Sequence, residues 1–203
     1  NSPPAPPTVK KSLQNGTASG TGTDGSDSSA TADAHSAQDG DFARAAEAIH
    51  QAVQDNPDLA HLSHQVILEQ TPQGLRIQLV DQDGRPMFAQ GTAEPMPYTK
   101  QLLAVIGKII DRLPNRVSIS GHTEGGDFTG PHGENNWQLS AERAEAARVL
   151  LAGGGLASDR VYEVSGKAGS EPLLPEDPNA SANRRLSILL LREAPPTDPG
   201  KTV

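Results

Sequence analysis

The chain is expected to fold as an α/β protein of the α+β kind, a β-sheet with helices packed on one face. Three observations carry this expectation. Residues 98–113 set Leu102, Val105, Ile106, Ile109 and Leu113 on one face of a helix. Residues 75–80 and 116–120 alternate apolar and polar side chains with the period of a strand. The segments then follow one another as hairpin, helix, strand, helix, strand, strand, an order that asks for helices covering one side of a sheet.

Residues 1–40 carry only Val9 and Leu13 as large apolar side chains, among Ser, Thr, Gly, Ala, Pro and Asp. Such a segment buries too little surface to offset the entropy of ordering, so a disordered linker is expected. Asp41 is placed to cap a helix in which Phe42, Ala45, Ala46, Ile49 and Val53 recur at helical spacing, and Asn56-Pro57 ends it. An N-terminal helical segment thus fills 41–61, the folded domain 62–192, and a second disordered tail 193–203.

Within the domain, residues 64–69 and 75–80 read as two strands about the turn-like TPQG, a hairpin. A loop over 81–97 leads to the helix at 98–113, closed by Pro114. A strand follows at 116–120. Ser140 is the expected cap of the next helix, which runs to the glycines at 153–155. A strand at 161–165, a proline-rich loop over 169–178 and a last strand at 185–191 complete the order.

Composition narrows the function. The net charge of −8 lacks the basic face that neutralises phosphates, so nucleic acid is not an expected partner. The chain has no cysteine, which removes disulfides and thiolate metal sites. No apolar run of about 18 residues is present. The sequence opens on Asn1 without a visible signal peptide, as expected of a mature protein or of a piece of a longer one.

The stretch 118–150 holds the chemistry. His122 and His132, each followed two residues later by an acid (Glu124, Glu134), allow a zinc site to be drawn, but the spacing matches no metal motif and Pro131 and glycines intervene. His122 is instead expected to be fixed by hydrogen bonds to the loop backbone. Ser120 and Ser140 lie in no nucleophile elbow, and the glycine runs lack a phosphate-loop lysine, so neither catalysis nor a cofactor is expected. Arg143 is more informative. At about 100° per residue it falls on the helix stripe shared with Leu139, Ala147 and Leu150. A charge there needs a partner, either an internal acid or a ligand carboxylate, and a place in the first helical turn favours an anion.

GHTE at 121–124, NWQLSAERA at 136–144 and NRRLSILLL at 183–191 resemble the OmpA-like peptidoglycan-binding domain, whose usual pattern is GHTD, then N-x-x-L-S-x-x-R-A, then N-R-R before the last strand. Residues 74–124, the long loop ending in Asn136-Trp137, the AGGGL run and the final strand are similar to one branch of it, the periplasmic domain of flagellar motor stator subunits of the MotB kind. The resemblance covers about 62–191. It implies a two-layer sandwich with a mixed sheet and a non-catalytic site that holds diaminopimelate of the peptidoglycan stem peptide. Carried over by position, Arg143 would pair with a diaminopimelate carboxylate and Glu124 would receive the ammonium. Asn136 lies in the loop, Leu139 beside the pocket and Arg184 at its edge. Glutamate stands at 124 where the family has aspartate, one methylene longer, and Asp127 is the alternative acid. The resemblance further implies a homodimer, a MotA-type stator partner reached through a membrane segment outside this sequence, and a periplasmic location at the inner membrane. Two other readings are an outer-membrane-linked wall anchor of the OmpA or Pal type and a metal-dependent peptidoglycan hydrolase using His122 and His132.

Overall fold

The computed structural model describes residues 26–130 and 133–193. Their elements are α1 (Ser26–Gln54), a 3₁₀ turn (Ala60–Gln65), β1 (Val66–Thr71), β2 (Gly74–Val80), α2 (Pro97–Ile110), β3 (Val117–His122), α3 (Asn136–Gly153), β4 (Val161–Gly166) and β5 (Arg185–Leu191). The five strands form one sheet in the order β1-β2-β5-β3-β4. All neighbours are antiparallel except β3 and β4, which are parallel and joined through α3, the long connection that parallel strands require.

The central strand β5 sets the core. Its Leu190, Ile188 and Leu186 face Leu75, Ile77 and Leu79 of β2 on one side and Val117, Ile119 and Gly121 of β3 on the other, so three cross-strand rows line one face of the sheet. These six leucines and isoleucines of β2 and β5, with Val117 and Ile119, are fully buried. Against them pack Phe42, Ile49 and Val53 of α1, Leu102, Leu103, Ile106 and Ile110 of α2, and Ala144, Ala147 and Leu151 of α3. The β1–β2 turn needs Gly74: its φ is +140°, and a Cβ there would sit 1.9 Å from the Leu190 carbonyl oxygen.

Three element boundaries differ from expectation. Residues 64–65 belong to the 3₁₀ turn, so the first strand begins at Val66. The helix expected from Asp41 begins at Ser26 and places Asp41 in its middle. Contacts distant in sequence hold the stretch before Phe42. Arg192 Nη2 donates to Asp39 Oδ1 at 2.6 Å, Gln70 Nε2 to the Asp39 carbonyl at 2.8 Å and Gln38 Nε2 to the Glu193 carbonyl at 2.9 Å. Residues 1–25 of the expected linker lie outside the described residues. Glu193, expected to open the tail, is bound: its carboxylate accepts from the backbone N and the Nε of Arg116 at 3.0 and 3.1 Å. Residues 194–203 lie outside the described ones.

The third boundary bears on function. Ser140 is not the cap of α3. Asn135 is, its side chain accepting from the N–H groups of Trp137 and Gln138 while the Gln138 side chain accepts from the Asn135 N–H, a complete capping box. An asparagine followed three residues later by glutamine satisfies two otherwise orphaned donors, so the helix starts five residues earlier than a serine cap would allow. Ser140 is fully buried and its hydroxyl donates to the Trp137 carbonyl and accepts from the Ala168 N–H, both at 3.0 Å. Arg143 consequently lies beyond the first turn, and the helix N-terminus does not supply its attraction for an anion.

Candidate functional site

The register brings one end of three strands together. Val80 and His122 both pair with Arg185, so the residues just beyond them, Asp81 and Thr123, flank Arg184. Around this point the 81–96 loop, the 123–128 loop and the first two turns of α3 enclose a cavity of about 480 Å³. Glu124, Asp127, Asn136, Leu139, Arg143 and Arg184, the six residues singled out from the sequence, all line it.

Arg143 is 7% exposed, which makes the state of its guanidinium decisive. Its Nε donates to the Thr92 carbonyl at 2.9 Å, and its Cζ lies 5.2 Å from the centre of the Phe88 ring. It forms no ion pair among the described residues, and it lines the cavity. Burial lowers its affinity for its proton, opposed by the nearby Asp81 and Glu124 charges and reinforced by Arg184. The result is an anchored, planar cation in the cavity wall, a group whose fork suits a carboxylate held bidentately.

Arg184 is engaged on both sides. Its Nε donates to Asp81 Oδ2 at 3.0 Å and its Nη1 to Glu124 Oε2. Asp81 is buried and its other oxygen accepts from the Met87 N–H at 2.8 Å. Burial pushes the Asp81 carboxyl above the usual carboxylate range, against the pull of the Met87 amide and the two arginines. Asp81 was not singled out from the sequence, because Asp-Gln-Asp-Gly after the second strand reads as an exposed turn. The usable signal was its position directly after the apolar run Leu79-Val80.

Asn136 Nδ2 donates to the Gly126 carbonyl and so pins the 123–128 loop to the start of α3. Leu139 is 5% exposed and forms apolar wall. Asp127 is exposed on the loop. The three residues of N-R-R, which lead from a 3₁₀ turn into β5, divide their work. Asn183, fully buried, ties the 174–178 loop by accepting from Leu174 N and donating to the Asp177 and Pro178 carbonyls. Arg184 enters the cavity, and Arg185 turns to the other face of the sheet, where its Nε meets Gln78 Oε1 at 3.0 Å.

His122 lies on that other face too. Its Nε2 is 3.2 Å from Ser120 Oγ, a side-chain contact and not the loop-backbone contact expected. Burial, with Arg185 and Lys167 nearby, lowers its pKa to about 4, so the ring is neutral near pH 7. Among the described residues no three His, Asp or Glu side chains group as a metal ligand set, and His132 lies outside those residues.

The profile of the OmpA family matches residues 87–185. Motility protein B of Escherichia coli strain K12 is 39% identical over 148 residues, 71% of this chain and 47% of that protein, so the chain spans about half the length of this relative. Among solved structures, a putative MotB-like protein from Desulfovibrio vulgaris superposes with a TM-score of 0.65 at 20% identity, covering 81% of this chain and 99% of that one. The periplasmic domain of Helicobacter pylori MotB does so with a TM-score of 0.51 at 25% identity, covering 60% and 85%. The three motifs, the five-stranded sheet and these likenesses converge: the chain carries an OmpA-family domain over residues 87–185 and is similar, within that family, to motility protein B.

Proposed function

We propose that this chain is the wall-binding part of a flagellar stator subunit and that its cavity holds diaminopimelate of the peptidoglycan stem peptide without chemical change. The observation that carries the reading is Arg143, buried, anchored through Nε and without an ion-pair partner among the described residues, in the wall of a cavity that also presents the acids Glu124 and Asp127. A zwitterion suits such a pair of poles: a carboxylate against the guanidinium fork and an ammonium against the acids. Because Arg184 already engages Glu124, the ammonium shares Glu124 with Arg184 and takes Asp127 as its second acid.

The 39% identity to motility protein B supports the stator assignment. With it go a periplasmic location, attachment to the inner membrane through a segment outside this sequence, a homodimer, and a MotA-type partner. In this role the domain is a fixed point on the wall, against which a motor can push.

The test is co-sedimentation with purified sacculi. Arg143→Ala is expected to fold normally and to remain in the supernatant, while the parent chain pellets. A variant that pellets as the parent does would overturn the assignment of the site.

A further inference from the structure

The helices pack on one face of the sheet, and the opposite face carries a separate hollow. It has a volume of about 190 Å³, is lined by Arg76 and Gln78 of β2, Arg185 and Ser187 of β5, and Ser120 and His122 of β3, and shares no lining residue with the Arg143 cavity. Register brings these side chains together. Gln78 lies opposite Ser187 and Ser187 opposite Ser120, while Arg185 lies opposite His122 one step along the same face. Pockets that enclose organic ligands usually start near about 300 Å³, so a hollow of this size suits a ligand of ionic dimensions.

Two buried groups in its wall lack a negative partner. Arg185 is 9% exposed, and its acceptors are uncharged: Nε donates to Gln78 Oε1 at 3.0 Å and Nη2 to the Glu171 carbonyl at 2.7 Å. Of the acids nearby, Glu69 pairs with Arg76 and Glu171 with Lys167, each at 3.5 Å and each exposed, so Arg185 forms no ion pair among the described residues. A buried guanidinium without a counter-charge is costly. His122 is 3% exposed; its Nε2 is 3.2 Å from Ser120 Oγ, while its Nδ1 is buried with no hydrogen-bond partner. With the Ser120 hydroxyl donating to Nε2, the neutral ring carries its proton on Nδ1, a donor without an acceptor. An oxyanion would complete both groups at once.

We propose that this hollow is a site for a small oxyanion of the phosphate class, with Arg185 and Arg76 as its charge partners and the His122 Nδ1–H and the Ser187 hydroxyl as donors. A metal cation is the wrong ligand here, since two arginines face it and the one acid in the lining, Glu171, is paired with Lys167. Free phosphate and the terminal phosphate of a monoester present the same oxygens to the arginines. No helix residue lines the hollow, so an ester substituent has a way out through the uncovered face of the sheet.

Titration with inorganic phosphate at neutral pH, against sodium chloride at matched ionic strength, tests it, with the ring resonances of His122 as the local readout and His122→Gln to assign them. A saturable shift with a Kd of about 1 mM or tighter is expected for phosphate and not for chloride. Arg76→Gln is expected to weaken phosphate about tenfold and to bind a diaminopimelate-containing peptide as the parent does. Ser187→Ala, which removes only a hydroxyl, is expected to weaken it about threefold. Arg143→Ala is expected to keep the parental phosphate affinity. Glycerol phosphate separates the sources: binding comparable to that of phosphate makes a monoester the ligand, and no binding confines the site to the free ion, either result upholding an oxyanion site. The absence of a saturable shift, an equal shift with chloride, or parental phosphate affinity in both Arg76→Gln and Ser187→Ala overturns the proposal. Phosphate affinity lost in Arg143→Ala also overturns it, by placing the ion in the other cavity.

Discussion

Arg184 Nε donates to the carboxylate of Asp81 at 3.0 Å, joining the first residue of the β5 approach to the residue that follows β2. Through its other nitrogen the same guanidinium reaches Glu124, so one arginine positions two acids from different loops.

Removal of Asp81 should therefore be felt in both stability and binding. Asp81→Ala leaves the Met87 N–H without its acceptor and Arg184 with one carboxylate, a loss of about 2–4 kcal/mol. Asp81→Asn keeps the shape and an acceptor. It also removes a charge whose burial is unfavourable, as its raised pKa indicates, so its cost should be about 1 kcal/mol or less. In both variants Arg184 has Glu124 to itself and competes harder with a ligand ammonium, so wall binding should weaken. Urea denaturation and sacculus binding measure the two effects; an Asp81→Ala variant with parental stability would rule out this bridge.

Arg143→Lys keeps the charge and discards the fork. A lysine ammonium cannot hold the Thr92 carbonyl through a nitrogen fixed in the guanidinium plane and present two parallel N–H groups as well. Affinity for a diaminopimelate-containing peptide should fall by about tenfold or more. Calorimetry gives the answer, and parental affinity in the lysine variant would speak against bidentate capture.

Much of this was legible in the sequence, and what was not has a physical cause. Leu75, Ile77 and Leu79 announced a strand by alternation, because one face of β2 is core. Arg143 announced itself as a charge on an apolar stripe. The start of α3 was misread at Ser140 because a serine before Ala-Glu is a good local cap. The capping box of Asn135 and Gln138 outweighs it, and it lies behind a loop with no periodicity. Asp81 and the early part of α1 depend on partners far along the chain, Arg184 in one case and Arg192 and Gln70 in the other. No local pattern encodes those contacts.

His122 gives the fold a dependence on pH. The ring is neutral when folded, with a pKa of about 4, and titrates near 6.5 once unfolded. The unfolded state thus binds the proton first, so stability falls as pH drops from 6.5 toward 4, by up to about 3 kcal/mol at about 1.4 kcal/mol per unit. Carboxylates titrate in the same range, so the contribution is read as a difference between the parent and His122→Gln. The variant should show the shallower slope in thermal denaturation across this window, and identical slopes would dismiss the role of the buried ring.

Gly121 couples the fold to the site. A Cβ at this position would lie 2.1 Å from the Ser140 carbonyl oxygen and 3.0 Å from its carbon, both backbone atoms of α3 that no rotamer change can move. Gly121→Ala must therefore push the helix off the sheet, at a cost of about 3 kcal/mol or more. The same helix carries Arg143, Leu139 and Asn136, so the displacement should open the cavity and weaken peptide binding in whatever fraction still folds. Gly153→Ala is the matching control: nothing lies within 4 Å of its added methyl group, and it sits at the last residue of the same helix. There alanine should be neutral or stabilising by up to about 1 kcal/mol, with peptide affinity unchanged. Denaturation midpoints and peptide titration of the pair separate a close approach that α3 requires from a general intolerance of side chains at its glycines.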